Sequence, residues 1–308
     1  MNCSKCNNNA VFSRKYSGES LCSDCFSSSI LQKTAKAISK FNMIVRGDLV
    51  CAAVSGGKDS LSLLHVLKKM SESHNFRLKA ITIDEGIPGY REEALKIVSD
   101  FCTKLGVEYK VFQYKELFDL TLEESLEVRA NEKISSCSIC GTLRRRAMDY
   151  GAKEIGADVI ATGHNLDDTL QTFIINTLSG DYNKIGWMYP QALTATPRKI
   201  KPFCEIYENE IVFYAFTNGI PFQSEPCPHM SEGIRTEIRD FLNNLENNHS
   251  GVKNSMNRSI YKISQIIKNS DYKQKRICLT CGNECTGEIC SVCGLLLKLK
   301  QKKSQMCK

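Results

Sequence analysis

The chain has 308 residues, 42% of them hydrophobic, and a net charge of +7 from 41 basic and 34 acidic side chains. This length and composition predict one domain of ordinary size with small additions and a sizeable core. No apolar run approaches the ~20 residues of a membrane span, and the polar, cysteine-containing N-terminus differs from a signal peptide. We therefore expect a cytoplasmic protein without a membrane partner.

Sixteen cysteines would suggest disulfides in a small secreted protein. In an intracellular chain of this size, however, paired CxxC motifs are typical of metal sites. Near the N-terminus, Cys3-x2-Cys6 and Cys22-x2-Cys25 are separated by 15 residues. Two such pairs supply the four thiolates that tetrahedral Zn2+ takes, and so short a segment needs a metal to hold it together. We predict a zinc finger over residues 1–27; a redox dithiol and an iron–sulfur site are the alternatives.

A second double CxxC lies near the C-terminus, with eight residues between its pairs. The pairs are Cys278-x2-Cys281 and Cys290-x2-Cys293. This spacing is typical of a zinc ribbon, which we place within residues 271–308. Cys285 lies between the pairs and is interpreted as a spare thiol, and Cys51, inside an apolar run, as a small core residue.

The basic side chains are clustered. Arg144-Arg145-Arg146 forms one cluster, Arg198-Lys199-Ile200-Lys201 a second, and residues 297–308 hold five lysines and no acid. Any one cluster alone is equally well a solvated face. Together the three predict a nucleic-acid-binding surface.

Strands and helices alternate through the middle of the chain. An apolar run at residues 49–54 has strand length, and the leucines that follow residue 60 recur at helical spacing. Such alternation predicts βαβ units and an α/β fold around a parallel sheet, with ligands at the carboxyl ends of the strands. The other predicted strands are 78–83, 108–112 and 158–162, and the other predicted helices are 27–46, 90–105, 142–155, 169–178, 205–218 and 231–245.

The loop after the first predicted strand is SGGKDS, residues 55–60. A loop between a strand and a helix N-terminus aims free backbone N–H groups and the helix dipole at one point, which binds anions. Its two glycines allow close approach of the backbone to a phosphate, and Lys58 adds a positive charge. The spacing is not that of a Walker A loop. An ordinary glycine-rich turn is the alternative to a nucleotide site.

Two further segments carry candidate chemistry. Cys137 and Cys140 form a CxxC with no second pair nearby, and Cys227 follows much later in EPCPH. Three cysteines can hold a 4Fe–4S cluster with one iron open; a reactive dithiol or persulfide and a structural pair are the alternatives that spacing leaves open. After the fourth strand comes GHNLDD, residues 163–168, in which Gly163 permits close backbone approach. Asp167 or Asp168 could hold Mg2+, whereas His164 is better interpreted as structural than as an acid or base.

The remaining segments carry weaker signals. Residues 115–133 are acidic and predict a helix or a mobile cover with a solvated face, and residues 185–203 predict a basic loop. The Asn-rich stretch 243–257 predicts a linker or helix end. We therefore expect a catalytic domain over residues 28–242, a linker or helix over 243–270, and the two zinc modules outside them.

Taken together, the ordered motifs resemble one family. SGGKDS, TIDEGIPGYR (82–91), CSICG, ATGHNLDD (161–168), PCPH and the flanking double CxxC pairs resemble the tRNA 2-thiouridine synthetases, PP-loop tRNA thiolases of the TtuA and NcsA type, over essentially the whole chain. The resemblance implies a Rossmann-like adenine-nucleotide α-hydrolase fold, ATP with Mg2+ as substrate, tRNA as partner, and a homodimer. It also implies that residues 82–86 contact the adenine largely through backbone atoms, so that the amino-acid types at these positions matter little for nucleotide binding.

The resemblance also implies a set of site residues. It places a 4Fe–4S cluster on Cys137, Cys140 and Cys227, which together with Lys58 and Asp59 form the catalytic set. A basic residue near the nucleotide corresponds to Arg144. The implied ATP contacts are Ala53, Val54, Ser55, Gly56, Gly57, Lys58, Asp59, Ser60, Ile81, Ile83, Arg144, Gly163 and Asp168.

The implied chemistry has two steps. Attack of a uracil O2 on the α-phosphate of ATP adenylates the base and releases pyrophosphate, and a sulfur nucleophile then displaces AMP. The sulfur is hydrosulfide on an open cluster iron or, alternatively, a persulfide on the same cysteines, supplied by free sulfide or by a ubiquitin-like thiocarboxylate carrier. The sequence leaves uridine 34 and uridine 54 both open as targets. Cytidine-32 thiolation, lysidine formation and a non-catalytic zinc RNA-binding protein are the remaining alternatives.

Overall fold

The structure is a computed structural model that describes residues 1–129, 134–190, 197–229, 234–270, 276–285 and 287–306. Its elements, in chain order, are β1 (Phe12–Arg14), β2 (Glu19–Leu21), α1 (Ser23–Lys40), β3 (Leu49–Ala53), α2 (Lys58–His74), β4 (Arg77–Asp84), α3 (Arg91–Leu105), β5 (Tyr109–Gln113), α4 (Tyr114–Phe118), α5 (Leu122–Arg129), α6 (Ser136–Glu154), β6 (Val159–Thr162), α7 (Leu166–Leu178), α8 (Tyr182–Gly186), β7 (Arg198–Ile200), α9 (Glu208–Thr217), α10 (Arg235–Asn248), α11 (Val252–Ser270), β8 (Arg276–Ile277), β9 (Glu284–Cys285) and α12 (Ser291–Met306).

A five-stranded parallel sheet of order β5-β4-β3-β6-β7 forms the centre of the fold. The middle strand β3 alternates between its two faces: Val50 and Ala52 join one apolar cluster, whereas Leu49 and Cys51 join the other. Both faces are therefore covered, as the continuous apolar run predicted. Cys51 is fully buried, which confirms its interpretation as a core residue.

The four predicted strands and their helices are confirmed, but the prediction of a loop over residues 185–203 is wrong. That stretch contains the end of α8 and the edge strand β7, which pairs with β6 through Arg198, Lys199 and Ile200. Two of these three residues are cationic, so no apolar run marks the strand in the sequence. Residues 191–196 of the predicted loop lie outside the described residues.

Helix α6 begins earlier than predicted, so the CxxC lies inside it rather than before it. Ser135 is the N-cap, and its side chain accepts a hydrogen bond from the backbone N–H of Ser138. Cys137 and Cys140 are consequently in the first turns of α6, three residues apart on neighbouring positions of the helix surface. The cap places both sulfurs at the N-terminal end of the helix.

Helices also occupy the acidic and Asn-rich segments. The acidic stretch forms α4 and α5, and residues 130–133 of that prediction lie outside the description. The stretch expected as a linker or helix end holds the end of α10 and the start of α11, which packs on α7 and α8. The C-terminal basic tail is helical to Met306 and packs on α5 and α6. Within the described residues no helix is long and apolar enough to cross a bilayer.

Candidate functional site

The SGGKDS loop joins the C-terminal end of β3 to the N-terminus of α2. Gly57 is the N-cap and no side chain caps the helix, so the first-turn N–H groups face the loop as phosphate binding requires. The Oγ atom of Ser60 accepts from the Ser55 N–H at 3.1 Å and donates to the Gly57 carbonyl at 2.9 Å. These bonds fold the loop into a closed turn.

Two glycines are required by the packing around this turn. Gly56 has a φ of +92°, and a Cβ there would lie 2.9 Å from Cβ of Ala94. Gly163, after β6, would place a Cβ 2.8 Å from the carbonyl carbon of Asp59 and 2.9 Å from the Ser60 nitrogen. The predicted close approach at Gly163 is thus made to the backbone of the SGGKDS loop. The two motif segments form one continuous surface.

Lys58 is held by two carboxylates, one of which the sequence interpretation missed. Its Nζ lies 2.9 Å from Asp59 Oδ2 and 2.8 Å from Glu208 Oε1, in the first turn of α9. Burial alone would lower the pKa of Lys58, but these carboxylates outweigh it and raise that pKa. Asp59 also accepts from the Asn165 amide at 3.2 Å. Burial raises the pKa of Asp59, with Lys58 opposing.

The two aspartates of GHNLDD differ in their surroundings. Asp167 is buried, pairs with Lys253 of α11 and accepts from the Glu208 N–H at 2.7 Å. Asp168 forms a capping box with Asn165 and lies 3.5 Å from Arg235. Its carboxylate is part-exposed and burial raises its pKa. Asp168, rather than Asp167, therefore keeps a carboxylate that is accessible to a cation.

The Nδ1 atom of His164 shares one hydrogen bond with Thr162 Oγ1 at a distance of 2.8 Å, as donor or acceptor according to the tautomer. One edge of the ring is exposed, yet desolvation by the surrounding protein, followed by the charge of Lys201 and Arg235, lowers the pKa of His164 to about 4. The lowered pKa disfavours the protonated ring, and the hydrogen bond to Thr162 holds its orientation. A structural role for His164 stays a prediction.

Two of the three candidate cluster cysteines lie in the first turns of α6, and the segment that carries the third lies beside them. The Cys137 Sγ lies 3.8 Å from the backbone oxygen of His229, two residues after Cys227. Cys140 and Cys227 pack against the same apolar cluster. His229 in turn bonds to Glu123 of α5 at 2.8 Å. The acidic segment therefore contributes a partner to the cysteine site.

Three exposed or half-buried thiols are the donor set of a cluster with one open iron. Among the described residues, only the two terminal four-cysteine groups have sulfurs within 4.8 Å of one another. Cys137, Cys140 and Cys227 are not among these closely spaced groups. Their number matches the three protein ligands of a cluster with one open iron.

A buried carboxylate links the nucleotide loop to the cysteines. Glu85 Oε2 lies 2.8 Å from Arg91 Nε, and Glu85 Oε1 lies 2.7 Å from Arg144 Nε. Arg91 donates to the Ser55 carbonyl at 2.8 Å, and Arg144 donates to the Cys140 sulfur at 3.3 Å. The expectation that the identity of residues 82–86 constrains little is thus wrong for Glu85. Its position six residues before Arg91 in TIDEGIPGYR was the available signal.

The implied adenine contacts Ile81 and Ile83 have buried side chains. The Ile81 carbonyl accepts from the Val54 N–H at 2.8 Å, and the Ile83 carbonyl accepts from Arg91 at 2.6 Å. Ala53, at the end of β3, is half-buried and faces this edge. The side chains of Ile81 and Ile83 therefore belong to the core.

Each terminal four-cysteine group has a donor set that fits tetrahedral zinc. The N-terminal group is Cys3, Cys6, Cys22 and Cys25, and the C-terminal group is Cys278, Cys281, Cys290 and Cys293. Backbone donors, chiefly the Cys22 N–H, lower the pKa of Cys3 to about 6. Arg146 of α6 donates to Cys281 Sγ at 3.1 Å and to Cys290 Sγ at 3.3 Å. Against the effect of burial, Arg146 lowers the pKa of Cys281 to about 5.

The N-terminal module docks on α9 through a buried network. Arg14 Nε lies 2.5 Å from Glu210 Oε1, and Tyr16 and Lys33 also bond to that carboxylate. Arg14 further donates to Ser29 at 2.6 Å. Because Glu210 lies two residues after Glu208, this network fixes the helix that carries the Lys58 partner.

Most cationic side chains of the predicted clusters 144–146 and 198–201 contact other groups of the protein. Arg144 and Arg146 serve the contacts described above, Arg198 pairs with Asp48, and Lys199 lies 2.7 Å from Asp149. Among the described residues, Arg145 and Lys201 are the exposed members of these two clusters without a carboxylate within 4 Å. Both lie near His164. Within these two clusters the candidate RNA surface therefore narrows to Arg145 and Lys201, and Lys298 and Lys300 of the C-terminal basic segment are exposed as well.

The chain matches two protein families. Residues 28–246 match the PP-loop domain family, and residues 2–27 match the N-terminal LIM domain of 2-thiouridine synthetase TtuA. A probable sulfurtransferase of Methanocaldococcus jannaschii is 35% identical over 97% of this chain and 88% of its own. The tRNA 2-thiolation protein NcsA of Haloferax volcanii is 30% identical, covering 96% of this chain and 98% of its own.

Eukaryotic and structural relatives agree with these matches. The cytoplasmic tRNA 2-thiolation protein 1 of Drosophila melanogaster is 35% identical over 95% of this chain and 86% of its own. The solved structure of the U34-tRNA thiolase NcsA from Methanococcus maripaludis with its 4Fe–4S cluster is similar with a TM-score of 0.82 and 30% identity, covering 96% of this chain and 95% of that one. This chain belongs to the family of PP-loop tRNA 2-thiolation enzymes, the 2-thiouridine synthetases.

Proposed function

We propose that the protein is an ATP-dependent tRNA-uridine 2-sulfurtransferase that converts a uridine to 2-thiouridine and releases AMP and pyrophosphate. The observation that carries this proposal is the link from the SGGKDS loop through Arg91, Glu85 and Arg144 to Cys140. It joins a nucleotide site and a sulfur site on one edge of the sheet. Because the similar M. maripaludis enzyme acts on U34, we propose uridine 34 as the target and uridine 54 as the alternative.

In the first step the uracil O2 bonds to the α-phosphorus of ATP, and the bond from that phosphorus to the bridging oxygen breaks. Negative charge develops on the departing pyrophosphate. The uncapped N–H groups of α2 and the Lys58 ammonium stabilise it, and Asp168 would hold the Mg2+ that accompanies ATP. When phosphate binds, the Lys58 ammonium gives up part of its contact with Asp59 and Glu208 and contacts the phosphate instead. The remaining contact with Glu208 keeps Lys58 oriented.

In the second step sulfur bonds to C2 and the C2–O bond breaks, so that AMP leaves with the former uracil oxygen. Cys137, Cys140 and Cys227 would hold the 4Fe–4S cluster, which when bound supplies the incoming sulfur. Arg144, beside Cys140 and partly exposed, offers its guanidinium to the leaving AMP phosphate. A persulfide on the same cysteines is the alternative source of sulfur.

The terminal modules and the exposed rim support binding of tRNA in this proposal. The two four-cysteine groups hold one zinc ion each, and Arg145 and Lys201 contact tRNA phosphates. The units are the zinc finger 1–27, the catalytic domain 28–242, the helical segment 243–270 and the ribbon 271–308, in a cytoplasmic homodimer. The sulfur donor is free sulfide or a thiocarboxylate carrier.

The deciding experiment measures AMP formation and tRNA nucleosides together under anaerobic conditions. The protein with reconstituted cluster is incubated with ATP, sulfide and unmodified tRNA. We expect AMP formation that depends on tRNA and 2-thiouridine that maps to the anticodon fragment by mass spectrometry. Lys58→Ala should lose both activities, while Lys199→Ala, outside the site, keeps them.

Three outcomes would contradict parts of the proposal. Binding of tRNA without AMP formation would make the chain a non-catalytic RNA-binding protein. A 2-thiocytidine product would identify another base as the acceptor. Full activity in protein without the visible absorption of an iron–sulfur centre would replace the cluster by the persulfide alternative.

A further inference from the structure

The carboxylate of Glu85 lies in an unusual position between two arginines. Its side chain is 3% exposed and that of Arg91 is 5% exposed, whereas 43% of the Arg144 side chain is exposed. An isolated buried carboxylate would be very unfavourable, so its pairing with two guanidinium groups is required for its ionised form. The network therefore has a fixed end at Arg91 and an accessible end at Arg144.

The fixed end belongs to the nucleotide loop. Besides Glu85, the Arg91 guanidinium donates to the Ser55 carbonyl at 2.8 Å and to the Ile83 carbonyl at 2.6 Å. It therefore connects the end of β4 to the first residue of SGGKDS. The planar guanidinium of Arg91 thus links the carbonyl of Ser55 to the carboxylate of Glu85, and this is the contact through which a shift of the loop can reach Glu85.

The accessible end belongs to the cysteine site. Arg144 lies one helical turn after Cys140 in α6, and its NH2 group donates to that sulfur at 3.3 Å. The backbone of the Glu85 segment is also fixed, because the Glu85 carbonyl accepts from the Leu122 N–H of α5 at 2.7 Å. The Glu85 side chain thus contacts Arg144, which lies next to the Cys140 sulfur. The Glu85 backbone contacts helix α5.

The two charge contacts are close but poorly aligned as hydrogen bonds. Glu85 Oε2, Arg91 Nε and Arg144 Nε are buried and make no hydrogen bond of acceptable angle within the described residues. Buried polar atoms are rarely left in this state, and each exception in a native structure calls for an explanation. The two arginines contact different oxygens of one carboxylate, so a rotation of that carboxylate changes both contacts together.

We propose that Glu85 is a positioning residue that couples occupancy of the nucleotide loop to the placement of Arg144 beside Cys140. The inference rests on the proposed function, because it assigns the loop to ATP and the cysteines to sulfur delivery. Glu85 touches neither substrate nor sulfur and acts through the two arginines. In the thiolation cycle this coupling aligns the sulfur site only when ATP is present. By thermodynamic reciprocity, occupancy of the cysteine site changes the affinity for nucleotide by the same factor.

The test follows backbone hydrogen exchange in the full-length, cluster-free protein, without tRNA. The probe is α,β-methylene-ATP with Mg2+, and the readout is the exchange of the amides of residues 141–146 in α6. We expect saturating nucleotide to slow their exchange about fivefold or more in the unaltered protein, the lower end of typical coupling factors. In Glu85→Gln, which keeps the shape and removes the charge, the slowing should fall below about twofold.

The matched control is Glu108→Gln, which removes the carboxylate of an exposed pair with Lys79 on the same sheet and should keep the full effect. If Glu85→Gln does not fold, Arg91→Lys replaces it, since a lysine keeps the charge but cannot bond to Glu85, Ser55 and Ile83 together. Slowing that persists undiminished in the folded variant overturns the proposal. Absence of any slowing in the unaltered protein, with nucleotide bound, does the same.

A second measurement uses the reciprocal effect. The dissociation constant of α,β-methylene-ATP is compared between cluster-loaded and cluster-free protein, and we expect the two values to differ about fivefold or more. In Glu85→Gln the ratio should approach one; an unchanged ratio overturns the coupling role. Thiolation of tRNA with no such coupling would remove only this inference, whereas intact coupling in a protein that does not thiolate tRNA would remove only the proposed function.

Discussion

Lys253 of α11 forms a buried ion pair with Asp167 of the GHNLDD segment, in which each side chain is only 4% exposed. The same lysine bonds to Asn243 Oδ1 at 2.6 Å, and the other oxygen of Asp167 accepts from the Glu208 N–H. One aspartate therefore ties the loop after β6 to both α9 and α11. Its neighbour Asp168 is left to face the nucleotide loop.

The first prediction separates these two aspartates by stability and activity. Asp167→Asn removes the charge that compensates Lys253, and breaking a buried pair typically costs about 3–5 kcal/mol. Urea denaturation should show this loss of unfolding free energy. Asp168→Asn should lose less than about 1.5 kcal/mol, since it affects a helix cap, while AMP formation falls at least tenfold.

The outcome that contradicts this division is the reverse pattern. If Asp167→Asn is as stable as the unaltered protein but inactive, Asp167 acts on the substrate. A second variant, Lys253→Met, removes the same ion pair by removing the lysine. It should leave Asp167 as an uncompensated buried charge.

The second prediction concerns Gly163. Gly163→Ala would place its Cβ 2.8 Å from the Asp59 carbonyl carbon, a contact with backbone that must move. Overpacking costs about 1–3 kcal/mol, so nucleotide affinity should fall about 5- to 150-fold, measured by calorimetric titration with α,β-methylene-ATP. Gly294→Ala is the control, since its Cβ meets nothing within 4 Å; equal losses in both variants would contradict the packing argument.

The third prediction concerns the contact of Arg146 with the C-terminal module. Arg146 donates to two of the four sulfurs, and loss of such outer contacts typically weakens metal affinity 10- to 100-fold. Arg146→Ala should therefore release zinc to a chelator about 10- to 100-fold more readily. Arg145→Ala, one residue away and exposed, should retain the metal. Identical release from both variants would show that the arginine contributes only to the surface charge.

The fourth prediction concerns the salt dependence of tRNA binding. Each phosphate contact contributes about 0.7–0.9 to the slope of log affinity against log salt. The double change Arg145→Ala with Lys201→Ala should lower that slope by about 1–2. Lys199→Ala is the matched control because Lys199 already pairs with Asp149. A slope that is the same in all three proteins would place the tRNA elsewhere.

The predicted strands contain short apolar stretches, whereas the missed strand lacks one. Strands β3 and β6 are buried on both faces and their sequences are almost continuously apolar, and β4 is buried only over residues 80–83. The edge strand β7 has one buried residue, Ile200, between charged neighbours. Helix α11 begins in an Asn-rich stretch whose composition favours turns, and its packing on α7 and α8 overrides that preference.

The residues of the candidate site likewise divide into those that the local sequence identifies and those that it does not. The roles of the glycines and the lysine in SGGKDS can be inferred from the local sequence, because a loop between a strand and a helix needs those residues to bind phosphate. The roles of Glu85, Glu208 and Arg146 depend on partners that come from distant parts of the chain. For Glu85 the local signal was Arg91 six residues later, and that spacing does not show that either side chain is buried. Three-dimensional placement of the opposite charges was needed to identify them.

The contact between Arg146 and the C-terminal sulfurs has a consequence for biosynthesis. The two sulfurs follow Arg146 by 135 and 144 residues, and ribosomes add about 5–20 residues per second. About 7–30 s therefore pass between synthesis of α6 and that of its last partner. Helix α6 packs on β4, β5 and β6, all of which are made before the residues of the C-terminal module. The C-terminal four-cysteine group therefore joins α6 as a late step of folding, onto a helix that the sheet already holds.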